Sequence, residues 1–196
     1  MKRLASSLIL LLAIIFGAPL SVNAEDIELT RKWELYQIKG RNQYDLRKAM
    51  NTKGPVNADT GKRFDARTDW KLGWKYKYSK NSENLYKLSS HSIQVTATIH
   101  FPEWADMKAG NPQTQRLWLV YIHNLKRHEM GHVELAQRAG KVLSERLSQL
   151  GTFNSRLEIE EAIKKKADEI TRIHQALHQD YDRRTNHGKS EGARFP

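Results

Sequence analysis

The chain contains no cysteine, which excludes disulfide scaffolds, Cys-ligated zinc sites, iron–sulfur clusters and thiol nucleophiles together. Any metal must be held by His, Asp or Glu. Acidic residues are also scarce: 22 Asp and Glu face 33 Lys and Arg, a formal charge of +11 over 196 residues. No apolar run reaches the roughly 20 residues that comfortably span a bilayer. Neither an internal repeat nor a low-complexity linker divides the chain. With 39% hydrophobic and 28% charged residues, the composition excludes both a disordered chain and an integral membrane protein.

What is present begins with an export signal. Lys2 and Arg3 give a positive start, Leu8 to Phe16 an apolar run, and Val22-Asn23-Ala24 a small-x-small cleavage site. Residues 1–24 are therefore expected to be removed, leaving residues 25–196 as a single domain in the periplasm or outside the cell. The positive charge suits weak attraction to anionic envelope polymers, with Lys164-Lys165-Lys166 and Arg183-Arg184 as the densest clusters. Export argues against nucleic acid as a partner.

The hydrophobic period then divides the chain into two unlike halves. Ile27 to Ile38 reads as an opening strand, and Asp45 to Met50 as a short helix closed by Gly54 and Pro55. Trp70, Leu72, Trp74, Tyr76 and Tyr78 occupy every second position, as do Ile93, Val95, Ala97, Ile99 and Phe101. Each set lines one face of a strand, and the intervening Asn81, Ser82 and Asn84 suggest an antiparallel pair. Beyond Pro102 the step lengthens to three or four residues through Leu117, Tyr121, Leu125, His128, His132, Leu135 and Ala139. This predicts a long helix over 113–150, stopped by Gly151. Ser155 and Glu158 form a capping box that opens a second helix. The expected fold class is α+β: an antiparallel sheet in the N-terminal half, followed by two long antiparallel helices.

The first of these helices carries His128-Glu129-Met130-Gly131-His132, an HExxH pattern. One helical turn separates the two imidazoles, so both reach a single zinc ion, while Glu129 is rotated toward the open coordination position. A shuffled chain of this composition carries the pattern roughly 0.02 times, so context must decide. Both histidines fall on the apolar stripe, where buried imidazoles need polar partners and metal ligation supplies them.

A catalytic site needs a third protein ligand. His174, His178, Asp182 and His187 all lie downstream. The Tyr181–Gly188 segment is the best placed of these, because an antiparallel return brings the end of the second helix back to the middle of the first. Gly188 permits the sharp turn that would aim His187 inward.

The HEMGH helix, the YDRRTNHG segment and the closing Gly192-Ala193-Arg194-Phe195-Pro196 resemble a bacterial family of secreted zinc-dependent proteases, catalogued as domain of unknown function 922. Thr68-Asp69-Trp70 and Trp74-Lys75-Tyr76 extend the resemblance over nearly all of the chain after the signal peptide. It implies a metallopeptidase label and supplies no substrate.

On this reading one Zn²⁺ per chain is held by neutral His128, His132 and His187, with Asp182 either orienting a ligand or serving as the third ligand itself. Glu129 is the general base, and Tyr181 is a candidate donor to the oxyanion. The partner is a protein or peptide, which could add as an extra strand beside Ile93–Phe101. The competing reading is a non-catalytic zinc-binding or cell-envelope-binding module.

Overall fold

The structure is a computed structural model and describes residues 27–57 and 60–196. The expected signal peptide lies outside the described residues. Strand β1 (Ile27–Ile38) leads through helix α1 (Gln43–Lys53) to β2 (Arg67–Lys80) and β3 (Tyr86–Trp104). Helix α2 (Pro112–Ser148), the two-residue β4 (Thr152–Phe153) and helix α3 (Arg156–Thr185) follow. The fold is α+β, with the sheet first and the long helices after it.

Two expectations about the sheet are corrected. β1 pairs with β3 in parallel, so the sheet is mixed, and the short helix expected at Asp45–Met50 is α1, which makes three helices where the fold class named two. β2 and β3 are the antiparallel pair that the alternation predicts, with Trp70 opposite Ala97 and Trp74 opposite Ile93. The strand order is β1-β3-β2, so Ile93–Phe101 is bonded on both sides. It offers no edge to an incoming peptide. The crossover from β1 to β3 passes through α1 and β2, and such a non-local pairing leaves no mark on the hydrophobic period.

The long helices begin where their caps dictate. Asn111 Oδ1 accepts from Thr114 N at 2.7 Å, and Pro112 occupies the first turn of α2, where its missing N–H costs nothing. The Ser155 side chain accepts from Glu158 N, and Glu158 accepts from Asn154 N at 3.0 Å. These are the two halves of a capping arrangement.

The apolar stripe of α2 serves two separate clusters. Trp118, Tyr121, Leu125 and Val133 pack with Ile38, Leu46, Met50, Phe101 and Phe195. Further along, Ala136, Ala139, Leu143 and Leu147 pack with Ile93, Val95, Ile159 and Ile163. His128, Glu129 and His132 fall in the stretch where the first cluster gives way to the second. Among the described residues no helix is long and apolar enough to cross a membrane.

Candidate metal centre

One turn of α2 places His128 and His132 on the same face, both buried, and α3 returns antiparallel to set Asp182 against them. Asp182 Oδ1 lies 3.1 Å from Nε2 of His128 and 3.1 Å from Nε2 of His132. The three ligand atoms lie within 4.8 Å of one another, a group able to hold a metal ion. Glu129, one residue round the helix, faces β2 instead. There Thr68 Oγ1 donates to its Oε2 at 2.7 Å.

The far side of each imidazole is also engaged. His128 Nδ1 donates to Glu191 Oε2 at 2.9 Å, and His132 Nδ1 meets His178 Nδ1 at 2.9 Å. With its proton committed to Glu191, a neutral His128 turns the lone pair of Nε2 toward a carboxylate oxygen. Two such nitrogens and one carboxylate converging on a buried point require a cation between them, either extra protons or a metal ion. Two imidazoles and a carboxylate also match a known catalytic zinc donor set. The residues present therefore fit a divalent ion.

The electrostatics agree with this geometry. Burial alone would raise the Asp182 carboxyl, but hydrogen bonds from His128 and His132 hold it far below the ordinary range. Burial pulls His128 down, yet Asp182, Glu129 and Glu191 together raise it. Burial pushes Glu129 up, against the lowering effects of His132, Thr68 and His128. His178 is driven down to about 3, first by burial and then by His132 and His174, so it is a neutral ring.

The other expected site residues fall at different distances from this point. His187 has φ +50° beside Gly188 at φ +77°, and its Nδ1 approaches Asp182 Oδ1 at 3.4 Å. At 40% exposed it stands at the mouth, while Asp182 belongs to the inner group. Tyr181 is turned away from the cleft. Its hydroxyl donates to Glu191 at 3.1 Å and its ring stacks on His128 at 4.9 Å. Gly131 makes this possible, since a Cβ there would stand 2.4 Å from the Tyr181 hydroxyl. Among the described residues neither His174 nor His178 joins the metal-binding group: His178 backs His132, and His174 is buried beside the Leu135 backbone.

Three contributors escape sequence reasoning. Glu191 lies 63 positions from His128 in an unremarkable C-terminal segment. Thr68 lies 61 positions from Glu129. Trp70, read as a core-facing residue, stacks on His178 at 5.1 Å. Periodicity places Trp70 on a strand face but does not name its partner, and it marks neither Thr68 nor Glu191, because each acts through a tertiary contact.

The group opens into a cleft of about 1200 Å³ between the start of β2, the middle of α2 and the C-terminal turn. The family model for a bacterial protein of unknown function, DUF922, matches residues 33–188. A search of the curated proteins and one of the solved structures returned no match.

Proposed function

We propose that this chain, which belongs to DUF922, a bacterial family of unknown function, is an exported zinc-dependent peptidase. The observation that carries this reading is the HExxH pair sharing Asp182 Oδ1 at 3.1 Å with Glu129 buried beside it, at the floor of an open cleft. His128, His132 and Asp182 are the proposed ligands, and zinc is the ion that imidazole-rich sites of this kind favour. When bound, the ion polarises the scissile carbonyl and acidifies water.

The remaining roles belong to the chain. Glu129 takes the proton of the attacking water and hands it to the leaving amine. Its burial suits that work, since a carboxylate raised above its usual range is a stronger base near neutrality. Thr68 fixes one of its oxygens and leaves the other free of any described hydrogen bond from a side chain. Glu191 and His178 hold the two ligand imidazoles in orientation from behind, as outer partners do in metal sites. The signal-like residues 1–24 support export, and a protein or peptide is the proposed partner.

One observation favours a second reading. His187 Nδ1 points at the same Asp182 oxygen, and a fourth protein ligand there would close the site into a structural one. The test is hydrolysis of casein and of a quenched-peptide mixture by zinc-loaded protein. The peptidase reading expects cleavage that a chelator abolishes and that Glu129→Gln lacks despite full zinc content. Zinc-bound, folded protein that cleaves neither substrate would favour the structural site.

A further inference from the structure

The cleft mouth is charged in a way that the metal group does not explain. Lys62 and Arg63 stand on the loop before β2, and Lys189 and Arg194 on the C-terminal turn. The two segments face one another, with the Phe64 and His187 rings 5.2 Å apart. All four cations are exposed. Among the described residues none of them has a carboxylate partner. Arg63 donates to the Gly54 carbonyl, Arg194 to the Lys189 carbonyl at 2.9 Å, and the Lys62 ammonium lies over the Phe64 ring at 5.1 Å.

Among the described residues, the carboxylates near these cations are committed elsewhere. Asp65 accepts both oxygens' worth of Arg47 at 2.8 Å as well as the Tyr121 hydroxyl. Asp69 is held by Arg67 and His100. Glu191 is turned inward to His128 and Tyr181, and Asp182 to the metal group. The rim therefore gathers four cations without a described carboxylate partner, on segments that reach the metal group where Gly188 packs on His128 and His187 approaches Asp182. Elsewhere in the chain, the Lys164-Lys165-Lys166 run is partly neutralised by its own helix, through Lys164–Asp168 and Lys166–Glu169. The rest of the lining is neutral or paired: Trp70, Gln175 and Gln179 are uncharged, and Arg67 is matched by Asp69.

We infer that the ligand of this cleft is a peptide with a carboxylate close to the amide bond it presents to His128 and His132, seated between Lys62–Arg63 and Lys189–Arg194. This rests on the peptidase reading for the fate of the bond, but not for the binding. An acidic side chain is chosen over an extended polyanion because these four cations sit on two short segments that meet beside the metal group, where His187 approaches Asp182. A long polymer would need unpaired charge running on past these two segments.

The test compares two labelled peptides of one sequence, one with Glu and Asp and the other with Gln and Asn. Affinity is measured by fluorescence anisotropy on zinc-loaded Glu129→Gln protein, so that hydrolysis plays no part. The acidic peptide should bind about tenfold tighter at low salt, and the ratio should fall toward one as salt screens exposed charges. In the double variant Lys62→Gln/Lys189→Gln the ratio should collapse, with zinc content and the thermal midpoint as folding controls. Equal affinity for the two peptides, or a ratio that survives the double variant, overturns the inference. Tighter binding of inorganic polyphosphate than of the acidic peptide also overturns it, and assigns the rim to a polyanion. Selective binding of the acidic peptide by a wild type that cleaves nothing would keep this inference and remove the peptidase reading.

Discussion

Asp182 Oδ1 stands 3.1 Å from His132 Nε2 although 50 positions separate the two residues. The distance is set by the turn between α2 and α3, which returns the end of α3 to the middle of α2. Asp182 is thereby the residue through which the helix hairpin and the candidate metal centre are coupled. Asp182→Ala should weaken zinc binding by more than the roughly 10–100-fold that loss of an outer partner costs. His187→Ala, at the mouth, should cost less than about tenfold. Competition with a chelator of known affinity gives both numbers, and the reverse order would make His187 the third ligand.

Glu191 gives a different prediction because it touches only the back of His128. Glu191→Gln keeps the size of the side chain and removes the charge that holds the imidazole proton on Nδ1. Zinc affinity should fall by about 10–100-fold while the fold survives. A chelator titration together with an unchanged far-ultraviolet circular dichroism spectrum checks this.

The division between what was readable and what was not follows from range. The α2 stripe, the Ser155 cap and the His128–His132 spacing are all fixed within a few residues, and each is present in the structure. Tyr181 sits on the same kind of stripe, and only the position of Glu191 shows that its hydroxyl turns away from the cleft. The parallel pairing of Ile27–Ile38 with Ile93–Trp104 joins residues 66 apart, and an alternating strand pattern is blind to which neighbour it meets. The tethers at Thr68 and Glu191 were hidden for the same reason. Side-chain type announces that a residue can donate or accept, and the fold decides to whom.

Thr68 bears on the pH dependence of any hydrolysis. Its hydroxyl donates to Glu129 and lowers that carboxyl against the upward push of burial. Removing the hydroxyl raises Glu129 further, so the base becomes competent only at higher pH. In Thr68→Val the acid limb of kcat/KM should move to higher pH by up to about one unit. A limb that stays in place would mean that Glu129 is not the titrating base.

Gly131 is a position in the HExxH segment where close packing bears on the choice of residue. A Cβ there meets the Tyr181 hydroxyl at 2.4 Å and its ring carbon at 2.7 Å. Tyr181 is held by stacking on His128 and by Glu191, so it has little room to retreat. Gly131→Ala should destabilise the protein by about 1–3 kcal/mol, the usual cost of overpacking, although alanine is the better helix former. Urea unfolding measures it. The double variant Gly131→Ala/Tyr181→Phe should recover part of the loss if the hydroxyl is the obstacle.

His174 sets an acid limit on stability that is independent of the metal ligands. Its ring is buried beside the Leu135 backbone, and Nδ1 has no partner among the described residues. Burial lowers its folded pKa below the ordinary 6.5, the Leu135 bond opposes this, and Arg138 adds to it. Above 6.5 neither the folded nor the unfolded chain protonates the ring, and its contribution is fully present. As the pH falls below 6.5 the unfolded chain binds a proton that the folded chain refuses, so stability is lost until the lower folded pKa is passed. The slope from one such group is at most about 1.4 kcal/mol per pH unit. His174→Leu should therefore flatten the decline in urea midpoint between pH 6.5 and 5 relative to the wild type. An equal slope in the two proteins would place the acid sensitivity elsewhere.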